Sequence, residues 1–142
     1  MEEQQTQQQP RYFIAIFGGE FVFKDPVEGG HYMPYEGWTN SIGISKSDHI
    51  LLYCAEGYSR EYSKVVPGTG EVTYVGSDAV HYNYEPLPSQ VPLSIIRECF
   101  TPVDKVKLRR IHFRWYRLFE IEYLSFRCVL EKAKTINPSS GQ

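Results

Sequence analysis

Trp38 follows a glycine and is itself followed by Thr39, Asn40 and Ser41. An indole offers a flat apolar face, and three short polar side chains beside it can donate or accept hydrogen bonds at the edge of a ring lying on that face. The pairing suits a nucleobase, because bases stack on aromatic rings and are distinguished by their edges. A competing reading makes Trp38 a plug at one end of a core, since Trp is buried on average. Trp115, between Arg114 and Tyr116, reads either as an opposite pocket wall or, the preferred reading, as cover for the core.

Other chemistry is thin. The chain has no GxSxG, HExxH or P-loop, and no GxGxxG between a strand and a helix. Val66-Pro-Gly-Thr-Gly-Glu-Val72 looks like a phosphate loop but lacks the Lys-Ser/Thr and opens no helix, so a strand bulge is the better reading. His31, His49, His81 and His112 fall on separate elements, where a lone histidine is more often a structural hydrogen-bonding group than a base. Asp48 reads as a turn cap and Cys54 as inert core. Cys54, Cys99 and Cys128 are far apart, odd in number and without zinc-ligand spacing, which predicts buried reduced thiols and no metal or other cofactor.

The 142 residues fit one domain with its own core. Aromatics make up 15% of the chain, with eleven Tyr, which favours half-buried strands. The net charge of −2 excludes a polycation that holds duplex by bulk attraction. Its distribution is uneven: residues 1–100 carry six Lys/Arg against thirteen Asp/Glu, whereas residues 101–142 carry nine against four. Lys105, Lys107, Arg109, Arg110, Arg114 and Arg117 either line a groove that follows a phosphate backbone or form a solvated face. With no membrane-length apolar run and an acidic, Gln-rich start, the expected compartment is the cytoplasm.

Residues 1–10 and 137–142 are polar and are expected to be disordered, leaving a domain over residues 11–136. Tyr12–Phe17 predicts a central strand buried on both faces, ended by Gly18-Gly19. Phe21–Asn40 predicts a long structured loop, Ser45–Asp48 a turn and His49–Cys54 a strong strand. Tyr62–Val75 predicts a longer strand bent at Pro67–Gly70. His81–Tyr84 alternates like a strand, Leu87–Pro92 is extended, and Leu93–Phe100 follows as a short helix read as a lid. A further strand is predicted around Ile111–Tyr116. Ile121, Leu124 and Cys128 then begin a helix ending at Lys132 and Lys134. The fold class is α+β: a small mixed β-barrel of five or six strands with two or three short helices.

The order of these elements resembles the EVE domain of the PUA-like group, which is related to the YTH and ASCH domains. That family shows a Gly-Asp turn before a strand ending in Tyr, then a GxGEV strand. Here Ser47-Asp48, Tyr53 and Gly68, Gly70, Glu71 and Val72 stand in those places. The resemblance runs from Tyr12 to about Leu130. It implies a PUA-like barrel with an aromatic pocket for a flipped or modified base of RNA or DNA, without catalysis. Flipping costs a few kcal/mol and each stacked base returns about 1–3 kcal/mol, so Trp38 needs companions. Tyr53, Tyr58 and Tyr35 are the candidates, with Asn40 and Ser41 at the base edge and Lys107, Arg109, Arg110 and Arg114 on the backbone. Two alternatives stay open: a small-molecule or protein-interaction module using the same pocket, and a hydrolase using His49 or His81.

Overall fold

The computed structural model describes residues 9–17, 30–32, 43–55, 62–76, 79–108 and 118–136. In chain order the elements are β1 (Tyr12–Phe17), β2 (Gly30–Tyr32), β3 (His49–Cys54), β4 (Val65–Val75), β5 (Ala79–Pro92), α1 (Leu93–Cys99), α2 (Pro102–Leu108), β6 (Leu118–Ile121) and α3 (Tyr123–Thr135). The strands form one mixed sheet in the order β2-β5-β4-β3-β1-β6, an α+β arrangement. β2 and β6 are its two edges, so among the described residues the sheet is open rather than the expected closed barrel.

The centre of the sheet is the parallel pair β1 and β3, in register from Tyr12 opposite His49 to Phe17 opposite Cys54. Five consecutive residues of each strand are buried. Because side chains alternate along a strand, Ile14, Ile16, Leu51 and Tyr53 enter one core cluster. Phe13, Ala15, Phe17, Ile50 and Leu52 enter a second on the opposite face. The first is covered by helices, through Leu93, Ile96, Phe126, Val129 and Ala133. The second consists of sheet residues together with Ile44 and includes no helix side chain among the described residues.

Asp48 sets where the central strands begin. Its buried carboxylate accepts the Arg11 backbone N–H on Oδ1 at 3.0 Å and the Ser45 backbone N–H on Oδ2 at 2.9 Å. Its backbone carbonyl accepts the Val72 N–H at 2.8 Å, and the Ser47 N–H donates to the Val72 carbonyl at 2.9 Å. The expected turn and cap are therefore present. The turn passes through Ser47 at φ +80°, a left-handed conformation that glycine adopts at lower cost.

β4 and β5 pair antiparallel with register shifts between Val66 and Gly68 and between Val72 and Tyr74, the first at the predicted bend. Bulges increase local twist and curve the sheet. A Cβ on Gly68 would lie 2.6 Å from both the Glu85 carbonyl oxygen and Tyr84 Cε1, and one on Gly70 would run into the Tyr82 ring. The two glycines leave the room in which β5 aromatics cross β4. The segments His81–Tyr84 and Leu87–Pro92 are parts of one 14-residue strand. Among the described residues β2 pairs only with Ala79–His81, and within them Pro86 and Pro88 fall on a stretch of β5 where that side needs no ladder donor.

α1 buries Leu93, Ile96 and Cys99 against the first core cluster. It is a packing element and not the expected lid, because its apolar side chains recur every third residue and face the sheet. Its first N–H donates to the Lys64 carbonyl at 2.9 Å, satisfying one of the orphan donors of a helix start. α2 was not anticipated by the periodicity. Thr101 and Pro102 signal it: the Thr101 hydroxyl accepts the Asp104 N–H at 3.3 Å, an N-cap, and Pro stands in the first turn. Ile121 ends β6, antiparallel to β1, and not the predicted helix, which starts at Tyr123. Pairing of Tyr12 with Ile121 decides between two periodicities that both fit. The strand predicted at Ile111–Tyr116 lies outside the described residues.

Cys99 and Cys128 are joined in a disulfide with their Cα atoms 5.3 Å apart, linking α1 to α3. This corrects the expectation of three reduced thiols; Cys54 is the cysteine outside the disulfide, and it is buried. The pair is 29 residues apart in sequence, so chain entropy assigns the link on the order of 3–4 kcal/mol. Cys99→Ser with Cys128→Ser is expected to lower the urea-derived unfolding free energy by that amount relative to the oxidised parent. Gly68→Ala is expected to lower it by about 1–3 kcal/mol, through overpacking against the β5 backbone.

Candidate functional site

Most residues singled out for base recognition, namely Trp38, Thr39, Asn40, Ser41, Tyr35, Tyr58, Arg109, Arg110 and Arg114, lie outside the described residues. Lys107 is in α2. Tyr53 is 2% exposed and packs in the helix-covered core cluster, which corrects its assignment as an open cage wall. The alternation along β3 turns it inward with Leu51. His49 stacks on Tyr12, with centroids 5.4 Å apart and planes at 15°. His81 lies 5.6 Å from Tyr74.

Each end of the central pair is a candidate site. At the carboxyl end, Phe17 and Cys54 finish side by side, and the Ala55 N–H donates to the Phe17 carbonyl at 2.8 Å. Residues 18–29 and 56–61, the latter carrying Tyr58, continue the chain from these two points. The carboxyl ends of neighbouring parallel strands are a common place for ligands, because the chain diverges there and leaves a crevice. Tyr84, opposite Gly70 in the β4–β5 ladder, packs against the second core cluster with its ring beside Gly68. Burial raises its hydroxyl pKa above the ordinary phenol value, and the Tyr62 hydroxyl and the Cys54 thiol add to the shift.

At the amino end lies an open cleft of about 610 Å³, lined by Gln9, Pro10, Arg11, Tyr12, Val103, Glu120, Ile121, Glu122 and Tyr123. Arg11 and Glu120 make a forked pair, Nη2 to Oε1 at 2.7 Å and Nε to Oε2 at 3.0 Å. Nη1 also donates to the Gly43 carbonyl at 2.8 Å. The hydrogen bond that Arg11 donates to Glu120 raises the Arg11 pKa against the opposing effect of burial. The pair is exposed enough that water screens most of its stabilisation. Tyr12 meets Tyr123 at 5.1 Å and Phe126 at 4.9 Å between ring centroids, in tilted geometry. Burial, then the neighbouring Tyr123 hydroxyl, raises the Tyr12 pKa.

Behind the cleft, Asp104 and Ser125 are fully buried. Asp104 Oδ2 accepts the Ser125 hydroxyl at 2.6 Å and the Glu122 N–H at 2.8 Å, and the Ser125 hydroxyl oxygen accepts the Thr101 N–H at 3.0 Å. This network fixes α2 against the start of α3. Sequence reasoning missed the cleft. Its two walls are distant in the chain and share no motif, and no spacing rule connects Arg11 to Glu120, 109 residues away. Among the described residues no three His, Cys, Asp or Glu side chains are grouped to hold a metal. None of the described helices is long and apolar enough to cross a membrane.

No protein-family model matches the chain, and no curated protein matches it. Among solved structures it is similar to Rpa0253 from Rhodopseudomonas palustris, determined by NMR, with a TM-score of 0.62 and 11% identity over 89% of this chain and 95% of that one. It is also similar to the crystal structure of Atu2648 from Agrobacterium tumefaciens, with a TM-score of 0.60 and 13% identity over 90% and 97% of the two chains. At these identities the likeness concerns the fold.

The two tyrosines make stability fall in alkali. Each hydroxyl holds its proton more tightly in the folded chain than in the unfolded one, so their contribution is complete below about pH 10 and is lost as pH rises through the raised folded values. Urea midpoints measured from pH 8 to pH 11 are expected to drop at the upper end, with a shallower drop in Tyr84→Phe.

Proposed function

We propose that the chain is a non-catalytic nucleic-acid-binding module of the EVE and PUA-like kind, capturing a modified or flipped base of RNA or DNA. The observation that carries this reading is the direct pairing of its two motif strands. The strand that follows the Asp48 turn and ends in Tyr53-Cys54 lies in antiparallel register with the GxGEV strand, His49 opposite Glu71, Ile50 opposite Gly70 and Leu52 opposite Gly68. Ser47, which stands where the family has glycine, has a glycine-like φ of +80°. The register shifts of β4 and the core cluster formed without helices support a sheet curved toward a PUA-like barrel.

In this reading the pocket is aromatic with a polar edge. Trp38 supplies the stacking plane, Tyr35 and Tyr58 the companion rings, and Thr39, Asn40 and Ser41 the hydrogen bonds at the base edge. Tyr53 supports the wall from the core instead of facing the base. Lys107, Arg109, Arg110 and Arg114 hold phosphates, which brings affinity without sequence preference. Stacking on two or three rings is needed because one ring returns about as much as flipping costs.

Fluorescence anisotropy with short single-stranded oligonucleotides, with and without modified bases, tests the proposal. Trp38→Ala is expected to weaken binding by about 1–3 kcal/mol with an unchanged thermal midpoint. Affinity is expected to fall steeply with salt as counterions are released. Binding that is indifferent both to salt and to the loss of Trp38 would overturn the reading and return the pocket to a small ligand.

A further inference from the structure

The cleft at the amino end of the central pair has a composition that phosphate would not choose. Arg11 is the cation among its lining residues, and its guanidinium is already forked onto Glu120. The carboxylate of Glu122 makes no hydrogen bond or ion pair among the described residues, although its backbone N–H and carbonyl are engaged. The formal charge of the lining side chains is therefore negative, and the uncompensated part sits on Glu122. Beside it stand Tyr123, half exposed, and Tyr12, while Val103 and Ile121 add apolar surface.

We propose that this cleft takes an arginine side chain from a basic segment of a partner protein. A planar guanidinium stacks on a tyrosine face and at the same time forks onto a carboxylate, whereas a lysine ammonium is a compact, strongly hydrated point charge with no plane to stack. Glu122 precedes the first turn of α3 with extended backbone and no side-chain cap, so its carboxylate is available to a partner without cost to the helix. The Asp104 and Ser125 network holds the Glu122 backbone from behind, which fixes the direction from which the guanidinium is met. Val106 and Leu124, exposed on the two flanking helices at 52% and 64%, supply apolar surface for the residues on either side of that arginine. The site does not depend on the base-pocket reading.

The test uses the full chain, labelled with ¹⁵N, titrated with an acetylated and amidated peptide of alternating Arg and Gly. Amide shifts are expected at Val103, Ile121, Glu122 and Tyr123, and the same peptide with Gln for Arg is expected to leave them unmoved. Lys for Arg is expected to bind more weakly. Glu122→Gln, which leaves the backbone contacts in place, and Tyr123→Leu are each expected to weaken the Arg peptide by about five- to tenfold. Trp38→Ala is expected to bind it as the parent does, which separates this site from the base pocket. The proposal is overturned if the Gln or Lys peptide binds as well as the Arg peptide, or if Glu122→Gln binds like the parent. It is equally overturned if a single-stranded oligonucleotide, and not the peptide, shifts these amides.

Discussion

Two parallel strands with apolar side chains on both faces carry the architecture, and one carboxylate sets their alignment. The fully buried stretches of β1 and β3 leave no face on which a polar residue could be accommodated. A slip of one residue would exchange the contents of the two core clusters, placing the Phe13 and Phe17 rings where Ile14 and Ile16 now meet the helices. Asp48 opposes that slip. It accepts backbone donors from the residue before β1 and from the start of its own turn, and through its carbonyl it engages β4. The backbone N–H groups satisfy the buried carboxylate oxygens, and the same bonds count as register.

From that centre the two sides diverge. On one, α1 and α3 lie over the sheet and are bound to each other through Cys99 and Cys128, while the Ser89 hydroxyl donates to the Ile136 carbonyl at 3.1 Å and ties the end of α3 to β5. On the other, Val72, Val80 and Tyr82 reach Phe13 and Ile50 from neighbouring strands, helped by two register shifts and by glycines that make room for rings. A sheet covered by helices on one side leaves uncommitted side chains at the ends of its strands. The two ends differ in character: the sequence that follows one, residues 18–29 and 56–61, carries aromatic and polar residues, and the other end presents tyrosine rings with acidic groups.

The amino acids alone determined the elements whose patterns are local. A six-residue apolar run bounded by glycines, a Ser-Lys-Ser-Asp turn, a bent strand with two glycines and a helix behind Pro92 could each be read without knowing the neighbours, because each rests on backbone preference over a few residues. Tertiary structure decided what depends on a partner distant in the chain. Ile121 fits a helix face and a strand equally, and only Tyr12 across the ladder makes it a strand residue. Leu93–Cys99 reads as an amphipathic helix from its own side chains, yet whether it closes a pocket or fills a core depends on the sheet beneath it. Tyr53 offers the same hydroxyl and ring in a cage or in a core, and the direction of one Cβ in β3 settled which. Two cysteines 29 residues apart carry no sign of pairing until two helices bring their Cα atoms to 5.3 Å. The meeting of Arg11 and Tyr12 with Glu120 and Tyr123 is likewise a product of strand order, since a contact across more than a hundred residues is specified by the whole packed core and by no segment within it.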